Sequence, residues 1–413
     1  MKTQKQSLLI FVLGLLTAIG PFSIDMYLPG FPDIARSLGT TVSYVSLSLS
    51  SFFIGISVGQ FLYGPLLDRY GRKKPLQIGL LIYLLASVGC TFAASAGMLI
   101  VLRLLQALGG CVGMVASRAM VRDLFPVKDN ARIFSLLMLV VAISPIIAPT
   151  LGGYLTAVAG WQSIFIALSV MGTCILLLAY KFLPESREPD PSYSLRPATI
   201  LQKFGQVIKE PQFYTYAFTG ACASSGMYAY IAGSPGVFME LFKVSEKQYG
   251  WIFALIAMGL IGASQLNSVL LRIYKSEQVI RVALFCQSIT GIILFLGTWF
   301  HLLELFSTIF FIFIFLCCQG FTFPNSSALS LAPFATLAGS ASALLGGIQM
   351  SIGAFTSALV SVLSNHTALP MTGVMACCAI TSFTILMIGS RIIKYRASIE
   401  AVEEQTVETI STS

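Results

Sequence analysis

Runs of about twenty apolar residues recur along this chain from residue 7 to residue 390, and no feature constrains its fold more. At 1.5 Å per residue such a run spans about 30 Å, the thickness of the hydrocarbon layer of a bilayer. Apolar residues make up 56% of the 413 and charged residues only 10%, whereas soluble domains carry about a quarter charged. No water-facing surface can be assembled from that composition. Barrel strands would alternate polar and apolar residues over about ten positions, and these runs do not alternate. The expected fold class is therefore an all-α integral membrane protein, each helix satisfying its own backbone donors and acceptors in lipid.

Twelve spans are expected, at 7–28, 43–63, 75–94, 98–117, 133–155 and 163–183, then at 212–237, 249–271, 280–300, 302–329, 339–363 and 369–390. The stretch 184–211 between the two sets of six is charged and proline-containing, the composition of a linker. The expected organisation is an N-terminal six-helix bundle (1–183), a cytoplasmic linker (184–211), a C-terminal six-helix bundle (212–390) and a cytoplasmic tail (391–413). The first span has only Lys2 and Lys5 ahead of it and is too long for a signal-peptide core, so it reads as a permanent helix.

Basic residues divide unequally between the two faces. One set of loops holds Arg69, Arg72, Lys73, Lys74, Arg118, Arg122, Lys128, Arg132, Arg272, Lys275 and Arg281, together with the linker cations and Arg391, Lys394 and Arg396. The opposite set holds Arg36, Lys243 and Lys247. By the positive-inside rule both termini and the linker face the cytoplasm. The net charge of +8 thus reflects orientation, and nucleic acid is not an expected partner. All nine cysteines fall inside spans with no C-x-x-C pair, and the two histidines, His301 and His366, are isolated; the reading is small apolar packing, no metal and no cofactor.

The strongest local signal follows the second span: Gly64-Pro65-Leu66-Leu67-Asp68-Arg69-Tyr70-Gly71-Arg72-Lys73-Lys74. Glycine serves the turn, and one acid among several bases can tie neighbouring helix ends together. In the fifth span, Ser144-Pro145-Ile146-Ile147-Ala148-Pro149-Thr150-Leu151-Gly152-Gly153 combines small residues for close helix approach with prolines that bend the axis. Charge inside a span is costly and marks function. Asp25 in the first span and Arg103 in the fourth lie at similar depth, so the two could share a cavity and modulate one another's protonation. Glu304, at the start of the tenth span, reads as interfacial.

The loop after the second span resembles the G-x-L-x-D-R-x-G-R-K signature of the major facilitator superfamily. By that resemblance Gly64, Asp68, Gly71 and Arg72 form a conformational latch, with Asp123 a partner of Arg72. The fifth-span stretch resembles the G-x-x-x-G-P-x-x-G-G motif of the superfamily's antiporters through Pro145, Pro149, Gly152 and Gly153, with Ser144 and Ala148 in place of the first two glycines. Arg103 to Gly109 is similar to the fourth-helix R-x-x-Q-G pattern, Ala107 replacing its glycine. Together with Pro21-Phe22-Ser23-Ile24-Asp25-Met26-Tyr27-Leu28-Pro29 and Arg122-Asp123-Leu124-Phe125-Pro126, these stretches resemble the bicyclomycin- and chloramphenicol-resistance (Bcr/CflA) group of proton antiporters.

The resemblance implies two pseudo-symmetric bundles, a bacterial inner-membrane location and efflux of small amphiphilic drugs driven by protons; a monomer is expected, and the charges inside the spans make Asp25 and Arg103 the expected coupling residues. Substrate contacts are expected among the polar and aromatic residues within the spans, Tyr27, Tyr228, Tyr230, Gln265, Asn267, Gln319, Asn325 and Gln349, since transporters bind ligands between their halves. Two other readings stay open at this point: a proton-linked metabolite transporter on the same fold, and a membrane-embedded enzyme or receptor. Against an enzyme, the spans hold no histidine cluster and no nucleophile–base pair, and no G-x-x-x-x-G-K-[ST] loop for ATP occurs.

Overall fold

The structure, a computed structural model, describes residues 2–190, 197–334 and 338–411. Its first part runs through α1 (Lys2–Asp25), a 3-10 turn at Leu28–Gly30, α2 (Phe31–Ser37), α3 (Val42–Tyr70), α4 (Lys73–Thr91), α5 (Ala96–Leu124), α6 (Val127–Ala159) and α7 (Gln162–Phe182). After α8 (Pro197–Ile208) come α9 (Pro211–Pro235) with a π-helical turn at Gly236–Leu241, α10 (Glu246–Leu270), α11 (Ser276–Trp299), α12 (Leu305–Leu331), α13 (Ala338–Leu363) and α14 (Leu369–Ser411).

All twelve expected spans are helices. Among the described residues, eleven helices are long and apolar enough to cross a membrane. The other is α9, and its surroundings explain its composition. It packs against α12, α13 and α14, and buries Thr215, Thr219, Ser224, Ser225, Tyr228, Tyr230 and Ser234. A helix covered by other helices needs no lipid-compatible face, so small and polar residues can replace leucines. Elsewhere the apolar residues point outward, as with Phe11, Leu85, Leu177, Phe306 and Val362, all more than half exposed. In water that surface would aggregate, and in lipid it is the solvated face.

Helix ends follow local chemistry. Thr41, Ser95 and Ser245 cap the N-termini of α3, α5 and α10 through their side-chain oxygens, the last with Gln248 completing a capping box. One expectation needs correction. Arg118 and Arg122 lie within α5, because that helix continues seven residues past the expected end at residue 117. Within 184–211, Pro197–Ile208 is helical, while 191–196 lies outside the described residues. α14 runs on through the expected tail to Ser411, with 412–413 outside the described residues.

Two seams join α1–α7 to α9–α14. The α3–α13 seam pairs Ser46 with Ser361, Ser50 with Ser357 at 2.8 Å and Ser57 with Ser351 at 2.8 Å, and Gly347 faces the Phe61 ring. From Ser46 to Phe61 the seam extends over about 22 Å of helix. The α6–α10 seam brings Gly153 onto the backbone of Glu246, and Gly250 onto that of Pro149 and Thr150. The largest buried core crosses both halves, joining Met26, Tyr27, Leu28 and Phe53 to Tyr228, Tyr230, Tyr249 and Phe253. Below, "linker end" means the end of the bundle carrying Arg72 and Glu185, and "far end" the one carrying Gly30, Val42 and Ser245.

Candidate functional site

At the linker end the turn between α3 and α4 is built around Arg72. Gly71 takes a positive φ of 82°, and a β-carbon there would meet the Glu185 carboxylate. That turn aims the Arg72 guanidinium, 4% exposed, at two carboxylates: its Nη1 donates to Asp68 Oδ1 and its Nε to Asp123 Oδ2, both at 2.8 Å. Burial alone would pull the Arg72 pKa down, but the hydrogen bonds and charges of Asp123 and Asp68 outweigh it and hold the group above its ordinary value. The latch pairing expected from sequence is thus formed. Gly64 takes no visible part, since a β-carbon there would meet nothing within 4 Å.

The sequence reading missed Glu185. Its carboxylate accepts from the backbone N–H groups of Arg72 at 2.6 Å and Lys73 at 3.0 Å, closing the otherwise open N-terminus of α4. Ser186 donates to Asp123 at 3.1 Å and Arg187 to Asp68 at 3.2 Å, so the start of the linker is stitched into the latch. Arg72→Ala is expected to cost about 3 kcal/mol and Glu185→Ala about 1 kcal/mol. The check is the melting temperature of the purified protein in detergent; equal effects would mean that the guanidinium is not the hub.

Deeper in the N-terminal half, Arg103 is fully buried. Its Nη1 donates to Gln106 Oε1 at 2.6 Å and its Nη2 to the Ser23 carbonyl at 2.8 Å. The guanidinium lies 4.1 Å from the centre of the Phe52 ring and 4.5 Å from that of Tyr27. Gln106 is itself fixed by the Ser87 hydroxyl at 2.7 Å, and the Ser23 and Tyr83 hydroxyls bond at 2.8 Å. Among the described residues, rings and neutral oxygens hold the cation, and no carboxylate does.

The expected meeting of Asp25 with Arg103 does not occur: no ion pair or hydrogen bond joins them among the described residues. Helix geometry gives the reason. Asp25 stands two residues after Ser23, about 200° round α1. Ser23 faces into the bundle toward Tyr83, so Asp25 faces away from that side. Its carboxyl is 5% exposed.

The fifth-span motif shapes the same region. A β-carbon on Gly152 would fall 2.0 Å from the Met26 carbonyl oxygen, and one on Gly153 would fall 2.7 Å from that of Glu246. Gly152 thus lets α6 press on the end of α1 within one half, and Gly153 lets it press on α10 across the seam. Pro145 and Pro149 lie inside the continuous helix α6.

The remaining polar candidates are spread out. Tyr27 bonds Ser48 at 2.8 Å within the N-terminal half. Tyr228 reaches Met350 Sδ at 3.7 Å and packs on Phe53 across the seam, and Tyr230 stacks on Phe253. Asn325 donates to Asn267 at 2.7 Å, a bond between α12 and α10, and Gln319 donates to Ser224 at 2.6 Å. Gln319 Oε1 and Gln349 Nε2 are buried without a partner among the described residues, whereas Gln265 is exposed. No group of three or more metal-ligating side chains occurs among the described residues.

A family model described as "Major Facilitator Superfamily" matches residues 13–358. The chain belongs to that superfamily. It is 33% identical to the uncharacterized MFS-type transporter YdgK of Bacillus subtilis (92% of this chain, 93% of that one). It is 30% identical to a bicyclomycin resistance protein homolog of Haemophilus influenzae (92% and 96%) and 29% identical to a chloramphenicol resistance protein of Pseudomonas aeruginosa (88% and 85%). These relatives place it in the drug-resistance group of the superfamily. Among solved structures it shares its fold with a bacterial homolog of the lysosomal transporter Spinster in an inward-facing, occupied conformation (TM-score 0.71, 16% identity, 94% and 97% covered). It shares it equally with a D-xylose–proton symporter (TM-score 0.69, 13% identity, 91% and 97% covered). The protein is therefore a multi-pass membrane transporter and not an enzyme.

Proposed function

We propose that this facilitator exports small amphiphilic drugs of the chloramphenicol or bicyclomycin kind in exchange for protons, as a monomer in the bacterial inner membrane with both termini in the cytoplasm. The observation that carries the proton step is the placement of Asp25. It is a buried carboxyl without a cationic partner among the described residues, directly before Met26 of the core that joins the two halves. An unpaired carboxylate is costly in such surroundings, and a neutral acid much less so. Closure of the far end then goes with a protonated Asp25, and proton loss with its opening. Arg103 contributes by fixing α1 through the Ser23 carbonyl, which sets the direction in which Asp25 points.

Drug binds between the halves when they rock apart at the linker end. The contacts are proposed among Tyr27, Tyr228, Tyr230, Gln265, Asn267, Gln319, Asn325 and Gln349, led by Tyr228, Gln319 and Gln349, whose polar atoms have bonding capacity to spare. Rings and amides without fixed charge suit neutral amphiphiles. The relatives' names for chloramphenicol and bicyclomycin resistance support this substrate class.

The test is drug accumulation in a hypersusceptible bacterial host. Cells expressing the chain should retain less chloramphenicol or bicyclomycin than vector controls, and a protonophore should erase the difference. Equal accumulation with the protein demonstrably in the membrane would reject drug export.

A further inference from the structure

A cavity of about 470 Å³, large enough for a drug-sized molecule, lies at the far end, and none of the proposed drug contacts lines it. One wall is the end of α9 with the turn that follows, and the other is the end of α13 with the start of α14. The two walls meet where Gly233 packs on Met371, 2.8 Å from the position a β-carbon would take. Val237, Val360 and Met371 are buried and give the cavity apolar sides. It adjoins the joint between the halves. A β-carbon on Gly236 would lie 4.0 Å from Val42 at the start of α3, and Val360 directly precedes Ser361, the partner of Ser46 in the seam.

Glu240 sets the chemistry of this cavity. The turn that carries it is wound wider than an α-helix, with the Phe242 N–H donating to the Val237 carbonyl at 3.0 Å. The carboxylate folds back over Gly236, its Oε2 3.8 Å from where a β-carbon on that glycine would sit. Glu240 is partly buried, and no ion pair or hydrogen bond reaches it among the described residues.

The other charges at this end are placed differently. Arg36 is paired with Asp33, and Lys247 lies over the Tyr154 ring at 5.1 Å. Lys243 and His366 line the same cavity, but both are exposed and neither is within ion-pairing distance of Glu240. Glu246 and Glu304 stand at the N-termini of α10 and α12, where the helix dipole favours a carboxylate. The unpartnered Arg103 Nε and Trp161 Nε1 belong to the N-terminal half and do not line the cavity. A carboxylate partly withdrawn from water, without a counter-ion and beside apolar walls, is the arrangement that recognises an organic cation.

We propose that this far-end cavity is a second ligand site, which binds amphiphilic organic cations through Glu240 and the apolar side chains around it. It widens the ligand class beyond the neutral amphiphiles of the central contacts. Binding here does not depend on the export reading; use of the site as a station for drug leaving through the opened far end rests on it.

The probe is tetraphenylphosphonium, a permanent cation with apolar rings, and its equilibrium binding to the purified full-length protein is measured in detergent. The wild type is expected to bind it saturably, Glu240→Gln roughly tenfold more weakly, and Glu240→Asp in between. Glu246→Gln alters a far-end acid outside the cavity and is expected to change binding by less than about twofold. Lys243→Gln removes a like charge from the lining and is expected to bind as tightly as the wild type or more so. Because Glu240 is unpaired, its variants should melt at the wild-type temperature, which shows that they are folded. To locate the probe, Ser364→Cys, exposed on the rim, is introduced into a background with the nine native cysteines replaced. Tetraphenylphosphonium is expected to slow its labelling by a membrane-impermeant thiol reagent, and to do so less at the same concentration when Glu240→Gln is added. No saturable binding, unchanged affinity in Glu240→Gln, weaker binding by Lys243→Gln, or binding that leaves Ser364→Cys unshielded would each overturn the site. None of these results touches drug accumulation, which tests export separately. Cation binding as expected, in a protein that fails to lower drug accumulation, would keep the site and reject its use as an exit station.

Discussion

Asp25→Asn is expected to abolish proton-driven export while leaving the protein in the membrane and able to bind drug. The substitution keeps the shape of the side chain, so the packing of Met26, Tyr27 and Leu28 against Tyr228 and Phe253 should persist. What it removes is the carboxyl proposed to carry a proton between the two faces. Each net charge moved through 100 mV supplies about 2.3 kcal/mol, or roughly a fiftyfold drug gradient, and the variant should lose all of it. Drug-for-drug exchange across proteoliposomes without a gradient should continue, because rocking of the halves does not itself need the proton. Retention of a protonophore-sensitive drug gradient by Asp25→Asn would remove Asp25 from the mechanism. Loss of exchange together with loss of gradient would mean that the substitution jams the fold and does not uncouple it.

How much of this was legible in the sequence follows from what each signal measures. Apolar runs report contact with lipid, so the spans that face lipid were placed to within a few residues, and the ends that overran did so where a helix emerges into polar surroundings, as in α5 and α14. The pairing of Asp68 with Arg72 was legible because the two are four residues apart and the motif itself named them. Glu185 was not, because it reaches Arg72 from more than a hundred residues away and sits in a segment whose charge read as solvated linker. Counting residues along α1 and α5 gave Asp25 and Arg103 their common depth but not their direction. Two residues of rotation separate Asp25 from the carbonyl that faces Arg103. The role of Gly153 likewise required knowing that α10 lies against it.

A disulfide between Ser50→Cys and Ser357→Cys is expected to stop transport almost completely, and a reductant to restore it. The two hydroxyls bond at 2.8 Å between α3 and α13, so the side chains at these positions reach one another across the seam. The seam around them is built to part. Ser46 also donates to the Ser43 carbonyl at 2.9 Å, and Ser361 to that of Ser357 at 2.9 Å, so these hydroxyls keep a partner in their own helix when the halves separate. Opening then leaves neither of these two hydroxyls stranded, which would otherwise cost about 1–3 kcal/mol each. Small side chains also give the seam little dispersion energy to surrender, unlike the interlocked rings of the core that spans the joint. A covalent bond removes that freedom. The experiment needs a background without Cys174, Cys286 and Cys377, which are exposed, and each single cysteine variant should transport normally under oxidant. Export at the uncrosslinked rate by fully crosslinked protein would show that α3 and α13 do not separate during the cycle, and alternating access would then have to run through the α6–α10 seam alone.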